Sequence, residues 1–169
     1  MENILRNYLE IKSLNDLHEV KKPSKDIYFE IHKAKDFQLN KFLYKQIGKK
    51  FQWTDRLSWQ DKDWKTYVSN KNLITYILKK NEDLAGFCEV FHHKEKKEIE
   101  IIYFGLLEEY FGEKLGGYML SEVIKKSFKI GVKRIWLHTC SLDHKNALNN
   151  YLSRGMEIFS TKNFQRKIA

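Results

Sequence analysis

The stretch Glu98-Ile99-Glu100-Ile101-Ile102-Tyr103-Phe104-Gly105-Leu106, followed closely by Gly112-Glu113-Lys114-Leu115-Gly116-Gly117-Tyr118-Met119-Leu120, decides how this chain folds. The first nine residues are rich in β-branched and aromatic types, and two glutamates alternate with isoleucines, which predicts a strand. Leu115, Met119, Leu120, Val123, Ile124 and Phe128 then recur at helical spacing, and Gly131 closes the stripe. Four of the eight glycines, Gly105, Gly112, Gly116 and Gly117, fall around the junction. A strand that turns through glycines into a helix start presents unpaired backbone N–H groups and the positive end of a helix dipole, which suits a phosphate. The stretch lacks the ending of a P-loop and the glycine spacing of a dinucleotide fold. Taken alone, it fits a tight turn equally well.

Outward from this stretch the pattern alternates between strands and helices. Tyr8–Ile11 and Ile27–His32 read as short strands. Asp36 is placed to cap a helix carrying Phe37, Phe42, Leu43 and Ile47, with Gly48 at its end. Phe51–Leu57 reads as a loop, and Ser58 as the cap of a second helix with Trp59, Trp64, Tyr67 and Val68. Ile74–Leu78 and Leu84–Phe91 are strands around the turn Asn81-Glu82-Asp83, and His92–Lys97 is a charged hairpin tip. Beyond the central helix, Val132–Thr139 is a strand, Ala147–Leu152 a short helix stopped at Gly155, and Met156–Ser160 a last strand. The order implies an α+β (or α/β) fold with one central mixed sheet.

A chain of 169 residues, 42% hydrophobic and 14% aromatic, is too apolar for disorder and suits one domain over residues 1–169. The longest apolar run, Ile101–Leu107, falls far short of the roughly 20 residues that span a bilayer, so no membrane partner is expected. Met1–Arg6 lacks the basic-then-apolar order of a signal peptide, and Cys88 and Cys140 supply no disulfide framework, so a reduced, cytoplasmic setting is expected. The net charge of +9 invites a polyanion. Yet only five of the 31 basic residues are arginines, and the lysines are interleaved with Glu and Asp, as on solvated faces. Nucleic acid is therefore a disfavoured partner, while an anionic cofactor suits this charge.

Phe104–Leu120 resembles the acetyl-CoA-binding motif of the GNAT N-acetyltransferase superfamily, in which a strand, Arg/Gln-x-x-Gly-x-Gly/Ala and a helix follow one another. Ala147-Leu148-Asn149-Asn150-Tyr151-Leu152-Ser153-Arg154-Gly155-Met156 resembles the superfamily's Ala-x-x-x-Tyr-x-x-x-Gly-Phe segment. Trp136–His144 and Trp53-Thr54-Asp55-Arg56 resemble one bacterial subgroup, and the likeness extends over about residues 36–160. It implies a GNAT-like, mostly antiparallel twisted sheet flanked by about four helices. Phe111 stands where Arg or Gln is usual, and Lys114 where the first motif glycine is usual. A lysine serves there only in a backbone conformation that still lets its N–H face the pyrophosphate.

What the resemblance implies about chemistry is specific. Acetyl-CoA would lie over Gly112, Lys114, Leu115, Gly116, Gly117 and Tyr118. Its arm would add like a strand beside Phe104 and Leu106, and Asn146 would also contact it. An N–H near Leu106 would polarise the thioester carbonyl. Trp53, Asp55 and Arg56 would shape the acceptor pocket; the same residues also suit a packed interhelix loop. An alkylamine acceptor with a pKa near 10.4 must shed a proton at a cost of roughly 4–5 kcal/mol at neutral pH. The resemblance points to a base on the strand before the turn: Glu100, with Glu98 on the same face. Tyr151 matches the tyrosine near the sulfur, where a phenol would protonate the leaving thiolate.

The expected activity is acetyl transfer from acetyl-CoA to a primary amine by direct attack in a ternary complex. The acceptor is a small molecule or peptide, and the enzyme a monomer or homodimer. A catalytically degenerate CoA sensor and a basic nucleic-acid-binding domain are the alternatives. No metal is expected, because His138, Cys140, Asp143 and His144 lack the spacing of a zinc site. No paired base marks Cys140 as an acyl carrier.

Overall fold

A computed structural model describes residues 1–167. In chain order it contains β1 (Glu2–Ile11), β2 (Ile27–Ile31), α1 (Phe37–Gly48), α2 (Asp61–Ser69), β3 (Leu73–Lys80), β4 (Asp83–His93), β5 (Glu98–Leu106), α3 (Leu115–Ile130), β6 (Arg134–Cys140), α4 (Ala147–Ser153) and β7 (Glu157–Arg166). The strands form one seven-stranded sheet in the order β2-β3-β4-β5-β6-β1-β7. Every neighbouring pair is antiparallel except β5 with β6. This is the central mixed sheet that the sequence pattern implies, with the mostly antiparallel pairing and four helices that the resemblance implies.

Adjacent residues on β3 and β4 separate the layers. Tyr76 and Cys88 pack with Leu120, Val123 and Ile124 of α3, whereas Ile77 and Phe87 pack with Leu43 and Ile47 of α1. Successive strand side chains point to opposite faces, so α3 covers one face and α1 the other. Each fully buried aliphatic side chain on α3 contributes on the order of 1.5–3 kcal/mol, which is why the wide apolar stripe reads so clearly as a buried helix.

Two features of the sheet position the site. The first lies on β5. Its register against β4 passes from Glu89 opposite Tyr103 to Val90 opposite Ile101, which leaves Ile102 as an extra residue. Such a bulge bends the strand that carries it and sharpens its twist. The parallel pairing of β5 with β6 spans only Glu98–Glu100 against Arg134–Trp136. β5 continues to Leu106, so the two strands part beyond Glu100. The second feature is β1, which lies between β6 and β7 and sets Arg6 opposite Cys140 on one side and Lys162 on the other.

Some element limits differ from the sequence reading. β1 begins at Glu2 and β7 runs to Arg166, because the two polar-faced strands pair with each other along their length. Helix α2 starts at Asp61, after Gln60: the Asp63 carboxylate accepts from the Gln60 N–H at 2.8 Å. Ser58 is therefore not its cap, and Trp59 falls outside the helix against Trp64 and Tyr67. The Asp36 cap of α1 is present, its carboxylate accepting from the Gln38 N–H at 2.9 Å.

The α1–α2 loop is anchored by a buried ion pair. Arg56 and Glu89 are 5% and 0% exposed, and the guanidinium donates to the two carboxylate oxygens at 3.2 and 2.9 Å. Asn40 and Tyr67 also donate to Glu89, at 3.2 and 2.7 Å. The guanidinium carbon lies 4.0 Å from the Tyr67 ring centre and 4.6 Å from that of Tyr103. Its backbone N–H donates to the Tyr44 hydroxyl at 3.0 Å. Burial pulls the Arg56 pKa down, but Glu89, with Tyr67 and Tyr103, more than offsets this and keeps the group charged. Removing one partner leaves an uncompensated buried charge, so Arg56→Ala or Glu89→Ala is expected to cost about 3–5 kcal/mol. Urea unfolding checks this, and a double replacement by Met and Leu should recover most of the loss.

Candidate active site

The gap between β5 and β6 opens into a cavity of about 1220 Å³. Two loops and the start of α3 complete its walls. Phe104, Leu106, Gly112, Lys114, Leu115, Gly116, Gly117 and Asn146 all line it, as do Trp53, Asp55, Glu100 and Tyr151. The fold thus brings together most of the residues singled out from the sequence.

The turn before α3 explains how Lys114 occupies a glycine position. Lys114 adopts the left-handed conformation, with φ 62° and ψ 13°, and no side chain caps the helix. Gly112 precedes it at φ 81°. The backbone therefore follows a path that glycine favours, with a lysine bearing the strain. The first N–H groups of α3 have no partner within the helix, and Leu115, Gly116 and Gly117 supply them at the cavity wall. Tyr118 does not join them. Its N–H already bonds to the Lys114 carbonyl at 3.2 Å, and its side chain is buried in a second cluster with Ile27 and Leu78.

Two further predicted residues lie away from the cavity. Arg56 is committed to Glu89, as described above, and is absent from the lining. Glu98 is paired with Arg134 at 3.1 Å on the neighbouring strand. Glu100, two residues on, reaches the cavity and sits 3.2 Å from His93 Nε2. On the α1–α2 loop, Trp53 packs so close to α1 that a Cβ on Gly48 would lie 2.6 Å from its own Cβ. The Trp53 ring centre is 4.5 Å from that of Tyr103, whose hydroxyl donates to Asp55 at 3.3 Å. Asp55 is thereby aimed at the cavity.

Tyr151 is buried in the wall, edge-on to Phe104 with ring centres 6.1 Å apart. Burial, then the charges of Asp143 and Cys88, push its phenol well above the usual range. It therefore stays protonated, and it is a weaker acid than a free phenol. Asp143 accepts from the Cys140 N–H at 2.9 Å and from the Thr139 hydroxyl, which folds the loop after β6. Burial and Asp143 also push the Cys140 thiol up, so little of it is thiolate near neutrality. Among the described residues, no group of three or more His, Cys, Asp or Glu side chains is arranged to hold a metal ion, and no helix is long and apolar enough to cross a membrane.

Several lining residues have no binding role in the sequence reading. His138 faces the cavity, and partial desolvation there, followed by the charge of Arg6, holds it below the ordinary imidazole range. Phe51 and Phe111 both pack edge-on to His144, with ring centres 5.8 and 4.9 Å away. Phe111, which stands where Arg or Gln is usual, thus meets His144 in space. Arg6 and Arg166 reach the wall from β1 and β7, where alternation alone marks no residue as special.

The acetyltransferase (GNAT) family model matches residues 32–156. A search of curated proteins finds no match. Solved structures that share the fold include a GCN5-related N-acetyltransferase from Sphaerobacter thermophilus, with a TM-score of 0.72 and 13% identity over 98% of this chain. This chain spans only 53% of that protein. An aminoglycoside acetyltransferase from a soil metagenomic sample aligns with a TM-score of 0.65 and 10% identity, over 79% of this chain and 90% of its own. The ribosomal-protein-S18-alanine N-acetyltransferase from Escherichia coli aligns with a TM-score of 0.58 and 19% identity, over 76% of each chain.

The conformation at Lys114 is testable without a ligand. A β-branched residue tolerates the left-handed region poorly. Lys114→Val is expected to lose about 1–2 kcal/mol in urea unfolding, while Lys114→Gly matches or exceeds the parent protein.

Proposed function

The chain belongs to the acetyltransferase (GNAT) family, and we propose that it moves an acetyl group from acetyl-CoA to an amine, with both held together in the cavity between β5 and β6. The observation that carries this reading is the parting of two strands beside an uncapped helix start. An extended, amide-bearing chain fits an open strand edge, and a diphosphate fits bare N–H groups at the positive end of a helix. Acetyl-CoA supplies the acetyl group as a thioester and departs as a thiol.

In this reading Leu115, Gly116 and Gly117 hold the diphosphate through their N–H groups, with the Lys114 and Lys145 charges nearby. The freed edge of Phe104–Leu106 pairs with the pantetheine arm, and an N–H near Leu106 steadies the thioester oxygen. The base is assigned to Glu100, not Glu98, because only Glu100 reaches the cavity. Glu100 takes the ammonium proton, directly or through a water, and His93 at 3.2 Å passes it toward solvent. The amine lone pair then attacks the carbonyl carbon, the C–S bond breaks, and the second proton of the attacking nitrogen passes to the departing sulfur, directly or through a water, leaving the amide and the free thiol. Tyr151 donates a hydrogen bond to the departing sulfur; its raised pKa makes full proton transfer less favourable than for an ordinary phenol. Trp53 and Asp55 flank the incoming amine, with Asp55 offering it a negative charge. A small-molecule amine and a peptide amine both suit the space, and the protein is read as a cytoplasmic enzyme.

Thermal shift with acetyl-CoA, combined with thiol release over a panel of amines, tests this. A Cβ at Gly116 would meet Asn150 at 3.5 Å and Leu106 at 3.9 Å, so alanine fits there while a larger side chain enters the cavity. Gly116→Trp is therefore expected to abolish the acetyl-CoA-induced shift with little change in the unliganded melting temperature, and Gly116→Ala to keep both. Retained binding in Gly116→Trp contradicts the assigned diphosphate site.

The role of Glu100 has a pH signature. With an acceptor pKa near 10.4, the free amine becomes abundant only as pH rises. A base is needed most where the amine is protonated. Glu100→Gln should therefore lower turnover severalfold or more near pH 7, and progressively less toward pH 10. An equal loss at every pH contradicts proton removal by Glu100.

A further inference from the structure

Four of the five arginines end on acceptors within the protein. Arg56 is held by Glu89, and Arg134 by Glu98 and Glu10. Arg154 donates to the His18 carbonyl and to Asn150, and Arg166 to Thr54 and the Gln52 carbonyl. Arg6 differs. Its Nε is buried without a hydrogen-bond partner, and its guanidinium carbon rests 4.6 Å from the Phe164 ring centre. The same side chain lines the cavity. A buried cationic donor left unpaired is costly, and such groups are nearly always satisfied by something.

The surroundings say what that something is. Arg6 lies opposite Cys140 on β6, two residues past His138, and its charge is felt at both. His138 also feels Glu100, Asp55 and Asp143. Asp143 is occupied by Cys140 and Thr139. The acceptor end of the cavity therefore offers two carboxylates suited to an ammonium, and beside them one free guanidinium suited to an anion. The diphosphate site is elsewhere, at the start of α3. Arg6 also lies outside residues 32–156, so it comes from a strand that the family match does not include.

We infer that the acceptor is an amino-carboxylate: an amine of the amino-acid class whose carboxylate is gripped by Arg6 while its amine faces Glu100. This rests on the acetyl-transfer reading above and narrows it. A guanidinium binds a carboxylate through charge-assisted, often paired hydrogen bonds, which are stronger than neutral ones and geometrically selective. The Phe164 face beneath the guanidinium holds it in place from the other side.

The test compares amino acids with their decarboxylated amines, using tyrosine with tyramine, histidine with histamine and lysine with cadaverine. Thiol release from acetyl-CoA gives kcat/KM for each. In at least one pair the acid should exceed its amine by about tenfold to a hundredfold, the range expected for a hydrogen-bonded charge. Arg6→Gln should bring that ratio near one through the acceptor KM, with Arg6→Lys intermediate. The acetyl-CoA thermal shift monitors folding of both variants. Equal turnover of acids and amines by the parent protein overturns the inference and leaves acetyl transfer standing. So does a rise in acetyl-CoA KM in Arg6→Gln, which would place the guanidinium on the other substrate. Absence of thiol release with every amine overturns the acetyl-transfer reading and this inference together.

Discussion

Ile102 has no opposite number on β4, and the bend this imposes carries β5 away from β6 just past Glu100 and Trp136. A regular parallel pairing would consume the backbone donors and acceptors of both strands. Beyond Glu100, five residues of β5 are paired on one side only and Ile102 on neither, and the cavity occupies the space so made. Glu100, Phe104, Leu106 and His138 reach the cavity because of that divergence. The helix start opposite, with Lys114 in a strained conformation and no side-chain cap, adds bare main-chain donors to the cavity wall. Main-chain donors there constrain backbone shape more than side-chain identity, which explains how Lys114 is accommodated.

Charge is divided between two kinds of setting. Arg56 and Glu89 spend theirs on each other inside the protein and fix the loop that bears Trp53 and Asp55. Arg6, Glu100 and Asp55 face the cavity instead, and Arg6 has no acceptor for its buried Nε. A buried pair of this kind is weak evidence for stability gained, but it is costly to break. A lone guanidinium on a cavity wall is better explained by a ligand than by folding.

Much of this was legible in the sequence. The helical stripe from Leu115 to Phe128, the Asp36 cap and the succession of strands and helices along the chain come from local periodicity and punctuation, and these are present in the structure. The lining residues near Gly112–Gly117 follow from the glycine-bearing turn itself, whereas Glu100 and Tyr151 come from the family resemblance, and the fold sets both on the same cavity. Arg56 was misleading for a physical reason: its partner Glu89 lies 33 residues away on β4, and no local pattern reveals a long-range ion pair. Tyr118 was assigned to the phosphate grip, but one more residue along the helix its N–H is already used. Arg6 was invisible for the same reason in reverse. Only the insertion of β1 between β6 and β7 brings an N-terminal residue beside His138 and Cys140.

The central claim is that a strand edge and a helix start, both left unpaired by the fold, receive acetyl-CoA. Backbone amide chemical shifts recorded while acetyl-CoA is added test it most directly. The account predicts saturable shifts concentrated in Ile101–Leu106 and Lys114–Gly117, with the amides of β2 and β3 unmoved. Saturating acetyl-CoA that leaves those two segments unperturbed, or that perturbs another face of the sheet instead, would contradict it.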